Sequence, residues 1–485
     1  MKLSAITGLD TAVPQGTGDV DLSGVTADSR AVKPGMLFAA LSGSKADGSR
    51  FIADAIAKGA AAVLVSTATA VDPSVRVPIV RSADPRRALA LIAAQFYPRQ
   101  PAHIVAITGT NGKTSVADFT RQLMTAVGAQ AASVGTIGIV KPGGAVYGSL
   151  TTPDPVTLHQ TLDALAGEGI THLAMEASSH GLEQCRLDGV RLQAGAFLNL
   201  GRDHLDYHPT VEDYLAAKLR LFSHLLQPGQ TAVINADGPR AADAIAAATA
   251  RGLSLMTTGR TGRDIRLIET VRDGFRQRLA VEHQGKRYDL DLGLIGDYQA
   301  SNALVAAGLA IATGLAPAHV FNALPDLIGV SGRLEVVAHH NGGIAVVDYA
   351  HKPEALDAAL GALRPFVTGR LICVFGCGGD RDAGKRPIMG RIAVDNADVV
   401  IVTDDNPRTE VAAAVRAAIL ADAPGAEEIA DRGDAIARGM AMLAEGDVLL
   451  VAGKGHETGQ IVGTTVIPFS DHHAIRSALT RTDPA

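Results

Sequence analysis

The stretch "HIVAITGTNGKTSVADF" (residues 103–119) is the most informative segment of this chain. A β-branched run comes first, an amphipathic helical pattern comes last, and between them lie Gly109, Thr110, Asn111, Gly112, Lys113 and Thr114. Glycines let backbone N–H groups face a phosphate, and the N-terminus of the following helix adds positive potential. In such a loop Lys113 reaches the β- and γ-phosphates and the Thr114 hydroxyl ligates Mg²⁺. The stretch therefore predicts a nucleotide-binding loop between a strand and a helix.

One position departs from the complete loop pattern, which places a glycine where this chain has Ile107. A glycine-rich turn that merely starts a helix is the structural alternative. The preceding strand, the following helix and the Lys-Thr pair favour nucleotide binding. The loop does not name a reaction, because switch GTPases, kinases and ATP-dependent ligases all use one.

Length and composition limit the class of protein. A chain of 485 residues predicts about three domains. The net charge of −6, without a basic stripe, argues against a nucleic-acid partner. Cys185, Cys373 and Cys377 give no disulfide framework, which favours a cytoplasmic location. Neither a signal peptide nor an apolar run of membrane-spanning length is evident, so we expect a soluble protein without membrane insertion. We also expect a monomer.

Strand-like apolar runs alternate with Ala-rich helical patterns along the whole chain, which predicts an α/β protein with parallel sheets. Proline-marked breaks at "QFYPRQPAH" (95–103) and "LPDLIGVSGRLE" (324–335) divide it into modules 1–100, 101–331 and 332–485. The segment 264–292 alternates with a period of two, which predicts antiparallel strands beside the central sheet.

Two further polar clusters follow strand-like runs of the middle module. Glu176 ends the strand of "ITHLAMEASSHGLEQCRL" (170–187), where a carboxylate suits Mg²⁺; a polar loop with a helix cap is the alternative. His204 follows the next strand and is either a ligand of a second metal ion or an ordinary loop histidine. Lys218 lies on an apolar helix face, from which a lysine usually reaches out to solvent.

The third module carries a loop of mixed charge, "TDDNPRTE" (403–410), directly after the apolar run "ADVVIV" (397–402). A guanidinium can bind a carboxylate through two parallel hydrogen bonds, which suits Arg408 to one end of a zwitterion. The alternative is an ion pair between Arg408 and Asp404, Asp405 or Glu410. From the residues alone the two interpretations are equally supported.

A series of motifs in all three modules resembles the Mur ligases, the ATP-dependent enzymes that build the peptide of bacterial cell-wall precursors. The motifs are "ADSR", "TGTNGKTS", "MEASSHGL", "NLGRDHLDYH", "YLAAKLRLF", "SGRLE", "DYAHKPEAL", "FGCGGDRDAGKRP", "TDDNPRTE" and "VAGKGHE". The resemblance implies an N-terminal UDP-binding α/β domain and a central P-loop ATPase domain with a parallel sheet plus a small antiparallel sheet. It also implies a C-terminal Rossmann-like domain.

The resemblance implies a cytoplasmic ligase of peptidoglycan precursor synthesis, and hence a role in cell shape and division. With ATP and Mg²⁺ it would join meso-2,6-diaminopimelate to the D-Glu γ-carboxylate of UDP-MurNAc-L-Ala-D-Glu through an acyl phosphate. The alternatives are the lysine-adding member of the family, a folylpolyglutamate synthetase and a nucleotide-switched binding protein.

The resemblance also implies roles for individual residues. Contacts to the UDP end would come from Ser29, Ser44, Lys45 and Ala46. The muramoyl-peptide would be held by Thr151, Thr152, Ser178, Gln184 and Arg186. ATP would bind Gly109 to Thr114, Ser115, Asn302, Arg333, Asp348 and His351. The catalytic group would comprise Lys113, Glu176, His204 and Lys218, with the metal ligands Thr114, Glu176, His204 and Lys218, the last as a carbamate (N6-carboxylysine). Diaminopimelate would contact Arg381, Asp405, Asn406, Pro407, Arg408, Gly453 and Glu457.

Overall fold

A computed structural model describes residues 1–43, 47–146, 150–201, 203–204 and 207–482, with side chains described up to residue 480. Contacts between residues divide the chain into two compact units. The first contains Met1–Arg263 and Val305–Val320, and the second contains Asp264–Leu304 and the residues from Phe321 onward. The module boundaries at residues 100 and 331 stay predictions.

The first unit begins with a four-stranded parallel sheet whose strands pair in chain order. Its elements are β1 (Gly24–Thr26), β2 (Met36–Ala39), α1 (Ile52–Ala57), β3 (Ala62–Ser66), β4 (Ile79–Ser82) and α2 (Pro85–Phe96). Helix α2 starts where it does because Asp84 accepts a hydrogen bond from the Arg87 N–H and Pro85 occupies the first turn. Its buried residues Leu89 and Ile92 join the core of this sheet.

The phosphate-loop sheet of the first unit is larger. Its strands are β5 (His103–Thr108), β6 (Ala131–Gly135), β7 (Gly138–Lys141), β8 (Gly144–Val146), β9 (His172–Glu176), β10 (Leu192–Phe197), β11 (Thr231–Asn235) and β12 (Ser254–Gly259). The helices between them are α3 (Lys113–Ala126), α4 (Pro155–Gly167), α5 (Ser179–Glu183), α6 (Val211–Arg220) and α7 (Ala241–Ala250), with a π-helical turn at Leu221–Leu225.

The strand order in this sheet is β12-β11-β10-β5-β9-β6-β7-β8, and only the pairs that involve β7 and β8 are antiparallel. Strand β5 lies centrally and is buried on both faces after its first residue, as expected for a central parallel strand. Because β5, β9 and β10 are parallel, the residues that follow them meet at one edge of the sheet. The predicted parallel α/β architecture is confirmed.

A buried carboxylate joins α2 to the end of α6. Asp188 is 5% exposed and accepts hydrogen bonds from Arg220 at 2.7 and 2.9 Å. The Arg87 Nε donates to the same carboxylate at 3.1 Å. Leaving a buried charge without its partner costs several kcal/mol, on the order of 3–5. This triad therefore ties the first sheet to the phosphate-loop sheet.

The second unit begins with an antiparallel meander of β13 (Ile265–Asp273), β14 (Arg276–His283) and β15 (Lys286–Leu292), as predicted for 264–292. Helices α8 (Asp297–Ala312) and α9 (Pro317–Ala323) contribute residues to both units. A second sheet follows with β16 (Glu335–His340), β17 (Gly343–Asp348), β18 (Leu371–Phe375), β19 (Val399–Val402), β20 (Glu427–Glu428) and β21 (Val448–Ala452). Its helices are α10 (Pro353–Leu363), α11 (Lys385–Asn396), α12 (Ala412–Leu420), α13 (Arg432–Ala441) and α14 (Asp471–Thr482), and a hairpin is formed by β22 (Gly459–Val462) and β23 (Thr465–Pro468).

The order in this second sheet is β16-β17-β21-β18-β19-β20, with every pair parallel except β16–β17. The carboxyl ends of β17, β18, β19 and β21 therefore face one edge. The motifs "DYAHKPEAL", "FGCGGDRDAGKRP", "TDDNPRTE" and "VAGKGHE" begin at or next to the ends of these four strands, so the fold brings them together.

The three cysteines are buried and free, which agrees with the expected lack of disulfides. Along the described stretches, every helix is too short or too polar to span a lipid bilayer.

Candidate functional site

The phosphate loop has the backbone that its glycines predict. Gly112 has a φ of +89°, a conformation that glycine adopts without strain, and α3 begins at the next residue. No side chain of the described residues caps the start of α3, so the N–H groups of its first turn can bind an anion. The Lys113 ammonium folds back over the loop and donates to the carbonyl oxygens of Gly109 and Thr110, each at 2.9 Å.

The loop is braced by Asn199, the second residue after β10. Its Oδ1 accepts a hydrogen bond from the Asn111 N–H at 3.0 Å, and its Nδ2 donates to the Asn111 carbonyl at 3.2 Å. The Asn199 carbonyl also accepts from the Thr110 N–H at 3.0 Å. Nothing in the sequence pattern predicts this bracing role for Asn199.

Lys218 points inward and not to solvent, so the prediction of a solvent-reaching lysine is wrong. Helix α6 begins with Thr210, whose Oγ1 accepts a hydrogen bond from the Asp213 N–H at 3.1 Å. The Lys218 side chain is 1% exposed, and its Nζ donates to the Gly109 carbonyl at 2.8 Å. Burial and the nearby charge of Lys113 lower the pKa of Lys218 to about 6. Burial therefore makes the neutral amine far more favourable for Lys218 than for an exposed lysine.

Glu176 presents a buried carboxylate at the end of β9, where it is 1% exposed. Its Oε1 accepts from the Thr136 N–H at 2.8 Å, and its Oε2 accepts from the Thr136 hydroxyl at 3.2 Å. A Cβ at Gly135 would lie 2.1 Å from Oε1, so only glycine leaves room for this carboxylate. The cap of the next helix is Ser178, which accepts from the Gly181 N–H at 3.1 Å. Glu176 is therefore not a helix cap.

The residues predicted to hold the muramoyl-peptide lie in one hydrogen-bonded network beside Glu176, and they are Thr151, Thr152, Ser178, Gln184 and Arg186. The Thr152 hydroxyl donates to the Glu176 carbonyl at 2.9 Å and accepts from the Ser178 N–H at 3.0 Å. Arg186 donates to the Thr152 carbonyl at 2.6 Å and to the Gln184 Oε1 at 2.7 Å. The network therefore fixes the direction of the Arg186 guanidinium and the Gln184 amide near the end of β9.

Two of the four predicted metal ligands, Glu176 and His204, join no metal-binding cluster of histidine, cysteine or acidic side chains in the described part of the chain. The His204 ring packs edge-on against His180, with centroids 4.8 Å apart, and its Nε2 lies 3.4 Å from the Asp203 carboxylate. Among the described residues, no three His, Cys, Asp or Glu side chains lie close enough together to form a metal site. The roles of Thr114, Glu176, His204 and Lys218 toward Mg²⁺ therefore stay predictions.

The predicted contacts to the UDP end are described only in part. Ser29 follows β1, is half-buried, and its carbonyl accepts a hydrogen bond from Lys58 at 2.9 Å. Ser44, Lys45 and Ala46 lie outside the described residues.

Three residues predicted to bind ATP come together around Tyr349 in the second unit. The Asp348 carboxylate accepts hydrogen bonds from the N–H groups of Leu334 and Ala350 at 2.7 and 2.8 Å. The Arg333 guanidinium lies 5.5 Å from the centre of the Tyr349 ring, and the His351 Nδ1 lies 2.8 Å from the Tyr349 carbonyl oxygen.

The fourth residue of that prediction, Asn302, lies on α8 and donates to the Gln299 Oε1 at 3.0 Å. The roles of these four residues toward ATP stay predictions.

Arg408, in the mixed-charge loop after β19, does not pair with the acidic residues closest to it in the chain. Asp404 pairs with Arg416 of α12, and Glu410 pairs with Arg386 of α11 at 2.8 Å. Throughout the described part of the chain, no carboxylate lies within ion-pair distance of Arg408. The guanidinium donates instead to the Gly379 carbonyl at 2.8 Å. The alternative of a local ion pair at Arg408 is wrong.

The backbone around Arg408 is fixed from two sides. Arg408 has a φ of +51°. Its N–H donates to the Ile461 carbonyl of β22 at 3.0 Å, and its own carbonyl accepts from the N–H of Gly463, in the turn after β22, at 2.7 Å. On the other side, a Cβ at Gly379 would lie 1.9 Å from the Pro407 carbonyl oxygen. These contacts set the direction in which the guanidinium points. Arg381, in the same glycine-rich loop, is exposed.

Two carboxylates near Arg408 can accept an ammonium group. Asp405 is 6% exposed, and burial raises the pKa of its carboxyl. A Cβ at Gly453 would lie 2.6 Å from the Asp405 Oδ2, so the loop after β21 needs glycine there. Glu457 follows in the same loop and is half-buried.

Asn406 offers a donor to a ligand and not an acceptor. Its Oδ1 already accepts from the Lys454 ammonium at 3.0 Å and from the Ile461 N–H at 2.8 Å, which uses both lone pairs. Its Nδ2 donates to the Glu457 Oε2 at 3.0 Å. Lys454, which is fully buried, was not among the residues predicted from the sequence to belong to the site. The only signal was a lysine between two glycines after an apolar strand.

A parallel sheet with a phosphate loop at its carboxyl edge, a buried acid on the neighbouring strand and a second parallel sheet together define the class of P-loop α/β nucleotide-binding proteins. Three family models match the chain in order. They are "Mur ligase family, catalytic domain" at residues 21–97, "Mur ligase middle domain" at 107–310, and "Mur ligase, glutamate ligase domain" at 332–455.

Similar proteins agree with these matches over the full length. The chain is 59% identical to a UDP-N-acetylmuramoyl-L-alanyl-D-glutamate--2,6-diaminopimelate ligase of Bradyrhizobium diazoefficiens, covering 99% of both. It is 56% identical to the ligase of the same name from Mesorhizobium japonicum, again covering 99% of both. A solved structure of a ligase of that name superposes with a TM-score of 0.76 at 32% identity, covering 99% of both chains. The chain belongs to the Mur ligase family.

Proposed function

We propose that this protein is the ATP-dependent ligase that joins meso-2,6-diaminopimelate to the D-Glu γ-carboxylate of UDP-MurNAc-L-Ala-D-Glu, a step of peptidoglycan precursor synthesis in the cytoplasm. The observation that carries the proposal is the arrangement after β19, in which the Arg408 guanidinium forms no ion pair with any described carboxylate while buried Asp405 lies in the same loop. The names of the full-length relatives support the same substrates.

The chemistry takes two steps. The γ-carboxylate of the D-glutamyl residue attacks the γ-phosphorus of ATP, forming a C–O–P bond and releasing ADP. The amine of diaminopimelate then attacks the acyl carbon, an amide bond forms, and phosphate and a proton leave. Lys113 and the N–H groups at the start of α3 offset the negative charge of the phosphoryl oxygens.

The residues present fit Mg²⁺ at the edge of the phosphate-loop sheet. The Thr114 hydroxyl and the Glu176 carboxylate supply hard oxygen donors, which Mg²⁺ prefers. His204 is the proposed ligand of a second ion. When bound, Mg²⁺ neutralises phosphate charge and orients the transferred group.

Lys218 supplies a further oxygen donor once it is carbamylated. Its neutral amine adds to CO₂, a C–N bond forms, and a proton is released, so that the buried amine becomes an anionic carbamate. The low pKa of Lys218, about 6, makes the free amine available for this addition at neutral pH.

Recognition of the amino acid rests on opposite charges. Arg408 binds the far carboxylate of diaminopimelate, and Asp405 and Glu457 accept the neighbouring ammonium. L-Lysine lacks that carboxylate and would leave a guanidinium without its partner in the site, which disfavours it. The family match over residues 21–97 further argues against a folylpolyglutamate synthetase, which lacks this module.

Phosphate release measured with UDP-MurNAc-L-Ala-D-Glu and either meso-diaminopimelate or L-lysine tests the proposal. We expect release that depends on both the dipeptide substrate and diaminopimelate. Equal turnover with lysine would contradict the amino-acid assignment, and hydrolysis of ATP independent of both substrates would contradict the ligase assignment.

A further inference from the structure

Lys454 is a fully buried ammonium that the two-step chemistry above does not use. It follows β21 in the loop that also carries Gly453 and Glu457. Its Nζ donates to the Asn406 Oδ1 at 3.0 Å and to the Glu457 Oε2 at 3.2 Å. A buried charge is costly unless it is paired and hydrogen-bonded, so a fully buried lysine needs these two partners.

We propose that Lys454 is a positioning residue for the amino-acid substrate, which fixes the Asn406 amide and the Glu457 carboxylate in the orientations that bind it. This inference rests on the proposed function, because it assumes that the loops after β19 and β21 receive the amino acid.

The first part of this role concerns the Asn406 amide. An amide can be turned over so that its nitrogen and oxygen exchange places, at little cost when its neighbours are indifferent. Here the turned amide would point its NH₂ group at the Lys454 ammonium and at the Ile461 N–H, which are both donors. Only one orientation is therefore stable, and in it the amide nitrogen faces Glu457.

The second part concerns Glu457. Its Oε2 accepts from both Lys454 and Asn406, at 3.2 and 3.0 Å. Among the described residues, its Oε1 has only a long contact of 3.5 Å, to the Tyr349 hydroxyl. One oxygen is thus held by the protein while the other remains available to an ammonium group. Without Lys454 the carboxylate would lose its stronger, charged anchor.

The third part concerns charge around Asp405. Of the groups that act on it, Arg432 and Lys454 favour its ionised form, whereas Glu457 and Asp471 disfavour it. Other titratable groups that sense Asp405 are Tyr349, His351 and Cys377. Arg432 is already committed to Asp471 through two hydrogen bonds of 2.7 and 2.8 Å. Loss of Lys454 therefore makes Asp405 protonate at a higher pH.

Replacement of Lys454 by Met in the full-length protein tests the role. The methionine matches the length of the side chain but removes the charge and the donors. We expect the KM for diaminopimelate to rise at least about 10-fold, because the Asn406 amide and the Glu457 carboxylate lose a charged anchor, while the KM for ATP changes less than about twofold. When kcat/KM for diaminopimelate is plotted against pH, the fall on the acid side should begin at a higher pH, because Asp405 then protonates at a higher pH. Lys454→Gln keeps neutral donors and should give an intermediate KM.

Lys286→Met is the matched control, because Lys286 is exposed in β15 of the same unit and packs on Tyr288. It should leave all three measurements unchanged. The inference would be overturned if Lys454→Met changed neither the KM for diaminopimelate nor the acid side of the pH profile. It would also be overturned if the KM for diaminopimelate and the KM for ATP rose equally in both the Met and the Gln variant. If the unmodified protein shows no diaminopimelate-dependent phosphate release, the proposed function fails and not this inference alone.

Discussion

The Nζ of Lys218 lies 2.8 Å from the carbonyl oxygen of Gly109, the first glycine of the phosphate loop. The same oxygen accepts a hydrogen bond from the Lys113 ammonium at 2.9 Å. Two cations on one oxygen repel each other, and the more deeply buried one gives up its proton more readily. Lys113 of the phosphate loop therefore helps to lower the pKa of Lys218, which lies more than a hundred positions away from Gly109 in the chain.

The first prediction is that Lys218 makes stability depend on pH. The pKa of lysine is ordinarily 10.5 and that of Lys218 in the folded protein is about 6, so between these values the unfolded chain binds more protons. The free energy of unfolding should therefore rise with pH across this window. Lys218→Met should be more stable than the parent at pH 7, with the difference shrinking toward pH 10. Denaturant unfolding in CO₂-free buffer at several pH values measures this, and parallel curves for the two proteins would contradict it.

The second prediction concerns the acid at the end of β9. Glu176→Gln keeps an oxygen that can accept from the Thr136 N–H but removes the negative charge. We expect kcat to fall about 10²-fold with Tm nearly unchanged, because in the proposed function the Glu176 charge would act on the phosphoryl group and its Mg²⁺. Initial rates over a range of Mg²⁺ concentrations provide the measurement. Glu168→Gln, which alters only an ion pair with Lys141 at the surface, serves as the control.

The third prediction separates recognition from catalysis. Arg408→Lys keeps the charge but loses the second parallel hydrogen bond to a carboxylate. One hydrogen bond to a charged group is worth about 1.5–3 kcal/mol, so the KM for diaminopimelate should rise about 10- to 100-fold. The KM for ATP should hardly change. Arg391→Lys, at an exposed position on α11, controls for the substitution type. A parallel rise of both KM values would indicate a folding role for Arg408.

The fourth prediction uses the close approach of two loops. Gly453→Ala would place a Cβ 2.6 Å from the Asp405 Oδ2 at a φ of +117°, so Asp405 must move. A displacement of about 1 Å in a binding site can cost up to about 10²-fold, and we expect the diaminopimelate KM to rise by about that factor.

Gly425→Ala is the matched control for this prediction. Gly425 also has a positive φ, +81°, but a Cβ there would meet nothing within 4 Å. It should lose a little stability without any change in KM. An equal change in KM for the two variants would show that backbone strain alone is responsible.

The fold was predictable because it follows from periodicity. The alternation of strand-like and helical runs predicted the parallel sheets, and the period-two pattern predicted the antiparallel strands over 264–292. Parallel pairing then brings residues after successive strands to one edge, so Glu176 and the loop of Arg408 could be expected at such edges.

Side-chain pairing was not predictable, because partners come from distant segments. Asp404 and Glu410 are near Arg408 in the chain, yet they pair with Arg416 and Arg386 on two helices. Lys218 likewise binds a carbonyl oxygen of the phosphate loop that no sequence pattern connects to it. Local charge patterns identify a site, but only the packing of helices decides which charges remain available.

The contact between Gly379 and Pro407 limits how this protein can be redesigned. Because a Cβ on Gly379 would lie 1.9 Å from the Pro407 carbonyl oxygen, the two loop backbones have no room for a side chain between them. An engineer who wishes to redirect the enzyme to another amino acid can exchange side chains in the loop but cannot reshape its main chain at this point. Variation, whether natural or in the laboratory, must therefore alter both loops together or confine itself to side-chain chemistry.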